Sequence, residues 1–301
     1  MSSYILFKQK LDDIGCEYSE DVLLSGFTSF KIGGKADLLL YPESAKMLSS
    51  VLSACNELNI RFFVLGKGSN ILVSDEGFRG AVISTSKLDK IELIDDDIVY
   101  CQSGVTLSRL CRFALDNSLS GLEFAFGIPG SAGGAAYMNA GAYNGEMKDI
   151  LFKCDHVSFD GQVGSYSEDK LDFSYRHSVY SKSDKIITGL YLRLNKSNKE
   201  PIKSRMDELM AKRRDKQPLE YPSAGSTFKR PKNNFAGALV EQCGLKGFTV
   251  GKAQVSEKHA GFVINIGGAT ASDVMGVIRH CQSVVFEKTG IQLEPEVEFI
   301  G

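Results

Sequence analysis

Membrane-length hydrophobic runs are missing from this chain. Nowhere in its 301 residues do roughly 18 apolar residues follow one another, as a bilayer-crossing helix requires. The opening segment, MSSYILFKQKLDD, lacks a basic start, an apolar centre and a small-residue cleavage site in succession. A secretory signal is therefore not expected, and a cytoplasmic location is. Paired cysteines are missing as well. The seven cysteines (Cys16, Cys55, Cys101, Cys111, Cys154, Cys243 and Cys281) are odd in number, scattered, and never form C-x-x-C. That argues against a disulfide framework and a zinc site, and suits a reducing compartment. The four histidines form no H-E-x-x-H or comparable pattern, so no protein-bound metal is expected.

A dominant charge sign is also absent, the formal net charge being −2, but the charges are unevenly spread. Residues 1–200 carry a net −5, residues 201–258 a net +6, and residues 259–301 a net −3. The basic block points to an anionic partner. Nucleic acid is disfavoured, because aromatic residues are not interleaved with the basic ones as a stacking platform requires. A solvated helix face accounts for RMDELMAKRRDK, but not for Lys229, Arg230 and Lys232, which sit among loop residues. With 43% hydrophobic and 24% charged residues the chain has the makings of a real core, and its length suggests two or three domains.

Periodicity supplies the elements. SAKMLSSVLSACNELN (44–59) carries a helical apolar stripe with Ser44 as N-cap. ADLLLYP before it and RFFVLG after it read as strands, giving a strand–helix–strand unit over 36–66. Further on, AVIST, IELIDDDIVYCQSG, CDHVSFDGQVGSYS and KIITGLYLRL read as strands, with DG at 160–161 as a hairpin signal. TLSRLCRFALDNSL (106–119) is an intervening helix, and EPIKSRMDELMAKRRDKQP (200–218) is a charged helix and a candidate domain link. The last hundred residues read as helix (235–243), strand FVINIG, helix ending at Gly290, and strand VEFIG. The class is α+β.

Two glycine clusters stand out. VLGKGSNILVSDEGFRG (64–80) is one; GIPGSAGGAAYMNAGAYNGE (127–146), with six glycines, five alanines and no charge before Glu146, is the other. Bare backbone of this kind forms concave anion sites that approach a diphosphate closely. GKGS is not a Walker A loop, since Arg61 stands where the leading glycine belongs. GKGSNI lacks the third glycine of a dinucleotide fingerprint, and GIPGSAGG has the wrong spacing. Tight turns and close-packed strands explain one cluster as well as phosphate does. Two clusters, each beginning where a strand ends, favour a large phosphate-bearing ligand.

TSFKIGGKAD and the two glycine clusters are joined by DFSYRHS (172–178), AGSTFKRP (224–231), LKGFTVGKAQVSEKHAGFVIN (245–265) and LEPEVEFIG (293–301). Together they resemble the UDP-N-acetylenolpyruvoylglucosamine reductases, the MurB flavoenzymes of peptidoglycan synthesis, in order over essentially the whole chain. The resemblance implies a two-part FAD-binding region of the PCMH/vanillyl-alcohol-oxidase type, residues 1–79 and 80–198, and a C-terminal α/β substrate-binding domain at 199–301. FAD, held non-covalently, would rest on Ile32 and Gly33 and on the first loop at Leu65, Gly66, Lys67, Gly68, Ser69 and Asn70. It would also touch Gly127, Ile128, Pro129, Gly130, Ser131, Gly133, Gly134, Asn139, Ala140, Gly141 and Gly189. The implied partners are NADPH and UDP-N-acetylglucosamine enolpyruvate, with no nucleic acid and no membrane, and the expected state is a monomer.

In the family's reaction NADPH reduces FAD and leaves; flavin N5 then gives hydride to C3 of the enolpyruvyl ether and a proton reaches C2. By motif match Arg176 stabilises the carboxylate and enolate, Ser226 donates the proton, and Glu296 protonates or polarises the intermediate. From the residues alone each has a plainer reading. Arg176 would be a surface ion pair and Ser226 a turn residue after Gly225. Strand alternation would put Glu294, Glu296 and Glu298 on one exposed face, with Leu293, Val297 and Phe299 on the other. Lys229, Lys252 and Lys258 are candidate cations for the pyrophosphate, and the resemblance adds Tyr175 and Gln254 to the substrate set. Many relatives read FKNP where this chain has FKRP, which leaves Arg230 without an assigned role. The short interval between Arg176 and Ser226 points to the lidless second type. Two rivals stay open: a flavin oxidase, which Ser69 disfavours by standing where such enzymes often carry an anchoring histidine, and a flavin- or nucleotide-sugar-binding regulator, against which the retention of Arg176, Ser226 and Glu296 argues.

Overall fold

A computed structural model describes residues 3–301; the first two residues of the opening segment lie outside it. Its helices are α1 (Ser3–Ile14), α2 (Ala45–Glu57), α3 (Leu107–Asp116), α4 (Ala132–Tyr137), α5 (Lys199–Lys216), α6 (Ala236–Gln242) and α7 (Ala271–Thr289). Local chemistry sets several of their ends. The Ser44 hydroxyl accepts the Met47 N–H at 3.1 Å to start α2, and Thr106 does the same for Arg109 at 3.3 Å in α3. At α7, Thr270 and Asp273 form a reciprocal capping box, and Gly290 closes the helix at φ 70°. No described helix is long and apolar enough to cross a membrane.

Two compact units interleave along the sequence, and the chain passes between them five times. The first takes the described residues of Met1–Glu20, then Leu38–Lys67 and Gly80–Ala211; the second takes Asp21–Asp37, Gly68–Arg79 and Lys212–Gly301. The last crossing falls inside α5, so the charged helix does carry the chain from one unit to the other.

In the first unit a five-stranded antiparallel sheet runs in the order Val163–Ser167, Leu151–Ser158, Lys185–Arg193, Ile98–Gln102, Ile91–Asp95. The Asp160–Gly161 turn joins the first two, in register Val157↔Val163. Leu110, Ala125, Ala132, Ala136, Met147, Leu190 and Leu192 form its buried core. A second cluster packs α1 and α2 through Phe7, Leu11, Leu48, Val51, Leu52 and Cys55 onto Leu38, Leu40, Ala81 and Ile83. The strands flanking α2 are not neighbours as the linear reading suggests. Phe78–Ser84 lies between Lys35–Tyr41 and Phe62–Leu65, pairing parallel with the latter from Phe62↔Ala81 to Leu65↔Ser84.

In the second unit four short antiparallel strands run in the order Ser223–Ser226, Phe262–Asn265, Ala253–Val255, Thr249–Val250. α7 buries Val274, Val277, Ile278, Cys281 and Val285 in a core shared with Leu239, Val240, Val255, Val263 and Leu293. Glu298–Ile300 pairs parallel with Ile71–Val73 in register Glu298↔Ile71. Asp75 accepts the α7 N–H groups of Ala271 (2.7 Å) and Ser272 (3.0 Å), which ties the loop after Ile71–Val73 to that helix.

Candidate active site

The first glycine loop leaves the end of strand Phe62–Leu65 at Gly66. A Cβ there would lie 2.7 Å from Ser131 Oγ, so the backbone is bare for a steric reason. Ser131 is the N-cap of α4: its Oγ accepts the Gly134 N–H at 3.3 Å. The same segment is laced to its neighbour by Ala132 N–H to Val105 O (2.7 Å) and Gly133 N–H to Ser103 O (2.8 Å). A Cβ on Gly133 would sit 2.6 Å from Ser103 Cβ. Beneath it, Ser103 Oγ is a buried side-chain oxygen that finds no partner in the protein. The Ala132, Gly133 and Gly134 N–H groups are thus spent within the chain, and what the protein leaves unmet beside this bare backbone is the buried Ser103 hydroxyl, a polar group suited to a diphosphate oxygen. These residues fit FAD.

Other members of the second cluster owe their composition to packing. It begins after the turn Glu123–Ala125 and not at a strand end, which corrects the expectation above, and its middle is the helix α4. A Cβ would lie 2.7 Å from Glu146 Cβ if added at Gly141, 2.7 Å from the Phe124 ring at Gly145, and 2.8 Å from the Tyr100 ring at Gly189. Asn139 is fully buried, and its amide group is spent within the chain: Nδ2 donates to Glu146 Oε2 (2.8 Å) and Ser174 O (3.0 Å), while Oδ1 accepts the Lys148 N–H (2.9 Å). Leu65 and Ala140 are buried.

Arg176 belongs to this same unit. Ser174 and His177 exchange backbone hydrogen bonds at 3.1 and 3.2 Å, leaving Tyr175 and Arg176 at the tip of a tight turn. Arg176 has φ 54°, and its guanidinium carbon lies 5.2 Å from the centre of the half-exposed Tyr175 ring. His177 is fixed by Asp172 (3.1 Å) and Ser181 (2.7 Å).

The second unit holds Ile32, Gly33, Gly68, Ser69, Asn70, Ser226, Lys229, Gln254, Lys258 and Glu296. Ile32 is buried; a Cβ on Gly33 would meet Val73 Cβ at 2.8 Å, and one on Gly68 would meet Phe27 O at 2.2 Å. The segment that follows Ser226 pairs here with the segment that ends at Glu296. The Glu296 N–H donates to Thr227 O (2.8 Å), the Lys229 N–H to Glu294 O (2.8 Å), and Phe228 bridges Pro295. Asn70 lies at the same junction: its Nδ2 donates to Glu296 O and its carbonyl accepts the Glu298 N–H, both at 3.0 Å.

The expected alternation along 293–299 fails at Phe299, which is 53% exposed. Only Glu298–Ile300 is strand, and Glu298 and Phe299 are both exposed within it, so burial does not alternate; before it Pro295 makes a single bridge to Phe228. Leu293 is fully buried as expected. The candidate cations are partly engaged: Lys229 Nζ pairs with Glu294 Oε1, and Lys258 Nζ donates to Arg214 O (2.6 Å) beside Glu220 (3.7 Å). Gln254 Nε2 donates to Thr249 Oγ1 at 3.0 Å, and Arg230 stacks on the exposed Phe235 ring at 4.8 Å. Among the described residues no cluster of three or more His, Cys, Asp or Glu could hold a metal. Ser103 and Asp75 escaped the reading of the sequence; the SG dipeptide opening the segment before α3 and the Asp-Glu pair before Gly77 were the available signals.

Residues 36–165 match the FAD binding domain family, and residues 217–300 match the C-terminal domain of UDP-N-acetylenolpyruvoylglucosamine reductase. Over 285 residues the chain is 46% identical to the UDP-N-acetylenolpyruvoylglucosamine reductase of Clostridium novyi (strain NT), covering 95% of this chain and 92% of that relative. The chain belongs to the UDP-N-acetylenolpyruvoylglucosamine reductase family. It is an FAD-dependent oxidoreductase. The crystal structure of the MurB protein from Thermus caldophilus matches with a TM-score of 0.81 at 36% identity, over 95% of this chain and 99% of that one. A berberine bridge enzyme variant, 13% identical, matches 64% of this chain and 44% of its own with a TM-score of 0.50, a likeness of fold alone. The architecture is α+β, with an FAD-binding region of the PCMH/vanillyl-alcohol-oxidase type and a family-specific C-terminal domain.

Proposed function

We propose that this enzyme reduces UDP-N-acetylglucosamine enolpyruvate to UDP-N-acetylmuramate with NADPH, in the cytoplasm, as a monomer and as a step of peptidoglycan precursor synthesis. The observation that carries the reading is the pairing of Thr227–Lys229, the residues that follow Ser226, with Glu294–Glu296, which sets the segments of a proton source and a carboxylate from distant parts of the sequence side by side. That pairing lies in the region matched by the family's own C-terminal domain. Family membership at 46% identity supports the substrate, and seven buried, free cysteines suit a reducing compartment.

In this reading residues 1–79 and 80–198 form the two flavin-binding parts and residues 199–301 the substrate domain. FAD is held by Ile32 and Gly33, by residues 65–70, by residues 127–134, and by the backbone near Asn139, Ala140, Gly141 and Gly189. When bound, it supplies the hydride that NADPH delivers and that reaches C3 of the substrate. Arg176 holds the carboxylate and the negative charge that develops on it, since a guanidinium keeps its own proton at any working pH. The Ser226 hydroxyl gives its proton to C2, and the Lys229 ammonium, already paired with Glu294, steadies the departing charge. Glu296 polarises the intermediate. Tyr175, Lys229, Gln254 and Lys258 bind the remainder of the substrate.

Stopped-flow separation of the two half-reactions tests this. In Ser226→Ala, bleaching of the flavin by NADPH stays fast while reoxidation by the enolpyruvyl substrate falls by about 10²-fold or more. Equal slowing of both removes Ser226 from its role, and a colourless protein that cannot be reconstituted with FAD removes the flavin reading.

A further inference from the structure

The Arg176 turn is of an improbable kind for its sequence. Of its two central residues only the second has a positive φ, at 54°. That is the sign pattern of a type II turn, whose second central position ordinarily goes to glycine or asparagine. An arginine stays in the left-handed region only where its surroundings over-determine it. Those surroundings are visible on both flanks. Ser178 Oγ donates to Tyr137 O at 2.6 Å on one side. On the other, Asn139 Nδ2 donates to the carbonyl of Ser174, the first residue of the turn, at 3.0 Å.

Asn139 is itself immobilised. It is fully buried, has φ 45°, and adds bonds to Glu146 Oε2 and the Lys148 N–H. Both its N–H donors are consumed by these partners. Its side chain therefore serves the protein, although it stands inside a stretch otherwise suited to a cofactor. We infer that Asn139 is a positioning residue: by clamping Ser174 it forces Arg176 into the left-handed conformation that aims its guanidinium for the reaction. This deepens the reading of Arg176 given above and rests on it.

The test is a double-mutant cycle on the FAD-loaded enzyme. Asn139→Gly accepts the positive φ and deletes the clamp. Asn139→Asp keeps the shape but turns oxygen on both the Ser174 carbonyl and Glu146 Oε2, and it serves if the glycine variant folds poorly. Each is made alone and with Arg176→Lys, and flavin absorbance and the thermal midpoint are recorded for all. With Arg176 present, reoxidation by the enolpyruvyl substrate drops about tenfold or more, while reduction by NADPH stays within about twofold. With Arg176→Lys, the same Asn139 change costs less than about threefold, because the group it positions is gone. A merely structural asparagine gives the same fold-loss in both backgrounds, or slows both half-reactions alike, and either result overturns the inference. If Arg176→Lys alone leaves reoxidation untouched, the role of Arg176 fails first and the clamp has nothing to aim.

Discussion

Gly66→Ala is the sharpest probe of why the first glycine loop is bare. The backbone at 66 lies outside the left-handed region, so alanine meets no conformational strain there. Its obstacle is one atom, Ser131 Oγ at 2.7 Å; the next is Ser131 Cβ at 3.9 Å, an ordinary contact. To make room the hydroxyl must rotate away and release the Gly134 N–H it caps at 3.3 Å. A lost N-cap costs about 1 kcal/mol, and crowding brings the whole to about 1–3 kcal/mol. At about 2–4 °C per kcal/mol for a domain of this size, the fall in Tm is readily measured. Ser131→Ala alone loses the cap. Added to it, Gly66→Ala meets open space and becomes neutral, or stabilising by about 0.4–1 kcal/mol through the stiffer unfolded chain. Thermal unfolding of the four proteins is compared without flavin, so that ligand binding adds nothing of its own. An equal cost in both backgrounds refutes the reasoning, since the bareness would then owe nothing to Ser131.

Ser103→Ala removes a buried hydroxyl that has no protein partner, so the flavin-free protein holds or gains Tm. If that hydroxyl meets a phosphate oxygen, FAD affinity in a fluorescence titration falls about tenfold or more, and an unchanged affinity takes Ser103 out of the flavin site. The Asp273 carboxyl is held below the usual carboxylate range, chiefly by the Thr270 N–H and further by the Lys252 N–H, against its partial desolvation. A depressed native value makes its contribution fully present above the ordinary value and lost as pH falls from there through the lower native one. The Tm gap between wild type and Asp273→Asn is thus largest near neutrality and closes below about pH 4; a gap that ignores pH sinks the account.

Features governed by a few neighbouring residues were legible. Ser44 and Gly290 bound helices by chemistry that lies within one turn of them. The Asp160–Gly161 hairpin follows for the same reason. What composition hides is why a glycine is bare. Gly145 and Gly189 yield to the rings of Phe124 and Tyr100, whereas Gly66 and Gly133 yield to the side chains of Ser131 and Ser103, and the letter is the same in each case. The pairing of Thr227–Lys229 with Glu294–Glu296 was reachable only through family resemblance, because it depends on a bridge between Phe228 and Pro295 that no spacing announces. Phe299 was misplaced because the strand there is three residues long and leaves Glu298 and Phe299 both exposed. The Arg176 turn carries no turn signal at all, its strain being borne by Asn139 from another segment.

Asn70 and Glu296 touch although 226 residues separate them. At about 5–20 residues per second, a ribosome delivers the second roughly ten to forty-five seconds after the first. During that wait the triplet Ile71–Val73, wholly apolar, is without Glu298–Ile300, the strand that pairs with it in the finished protein. Since that is the one sheet the triplet belongs to among the described residues, this pairing closes only once the last residues of the chain are made.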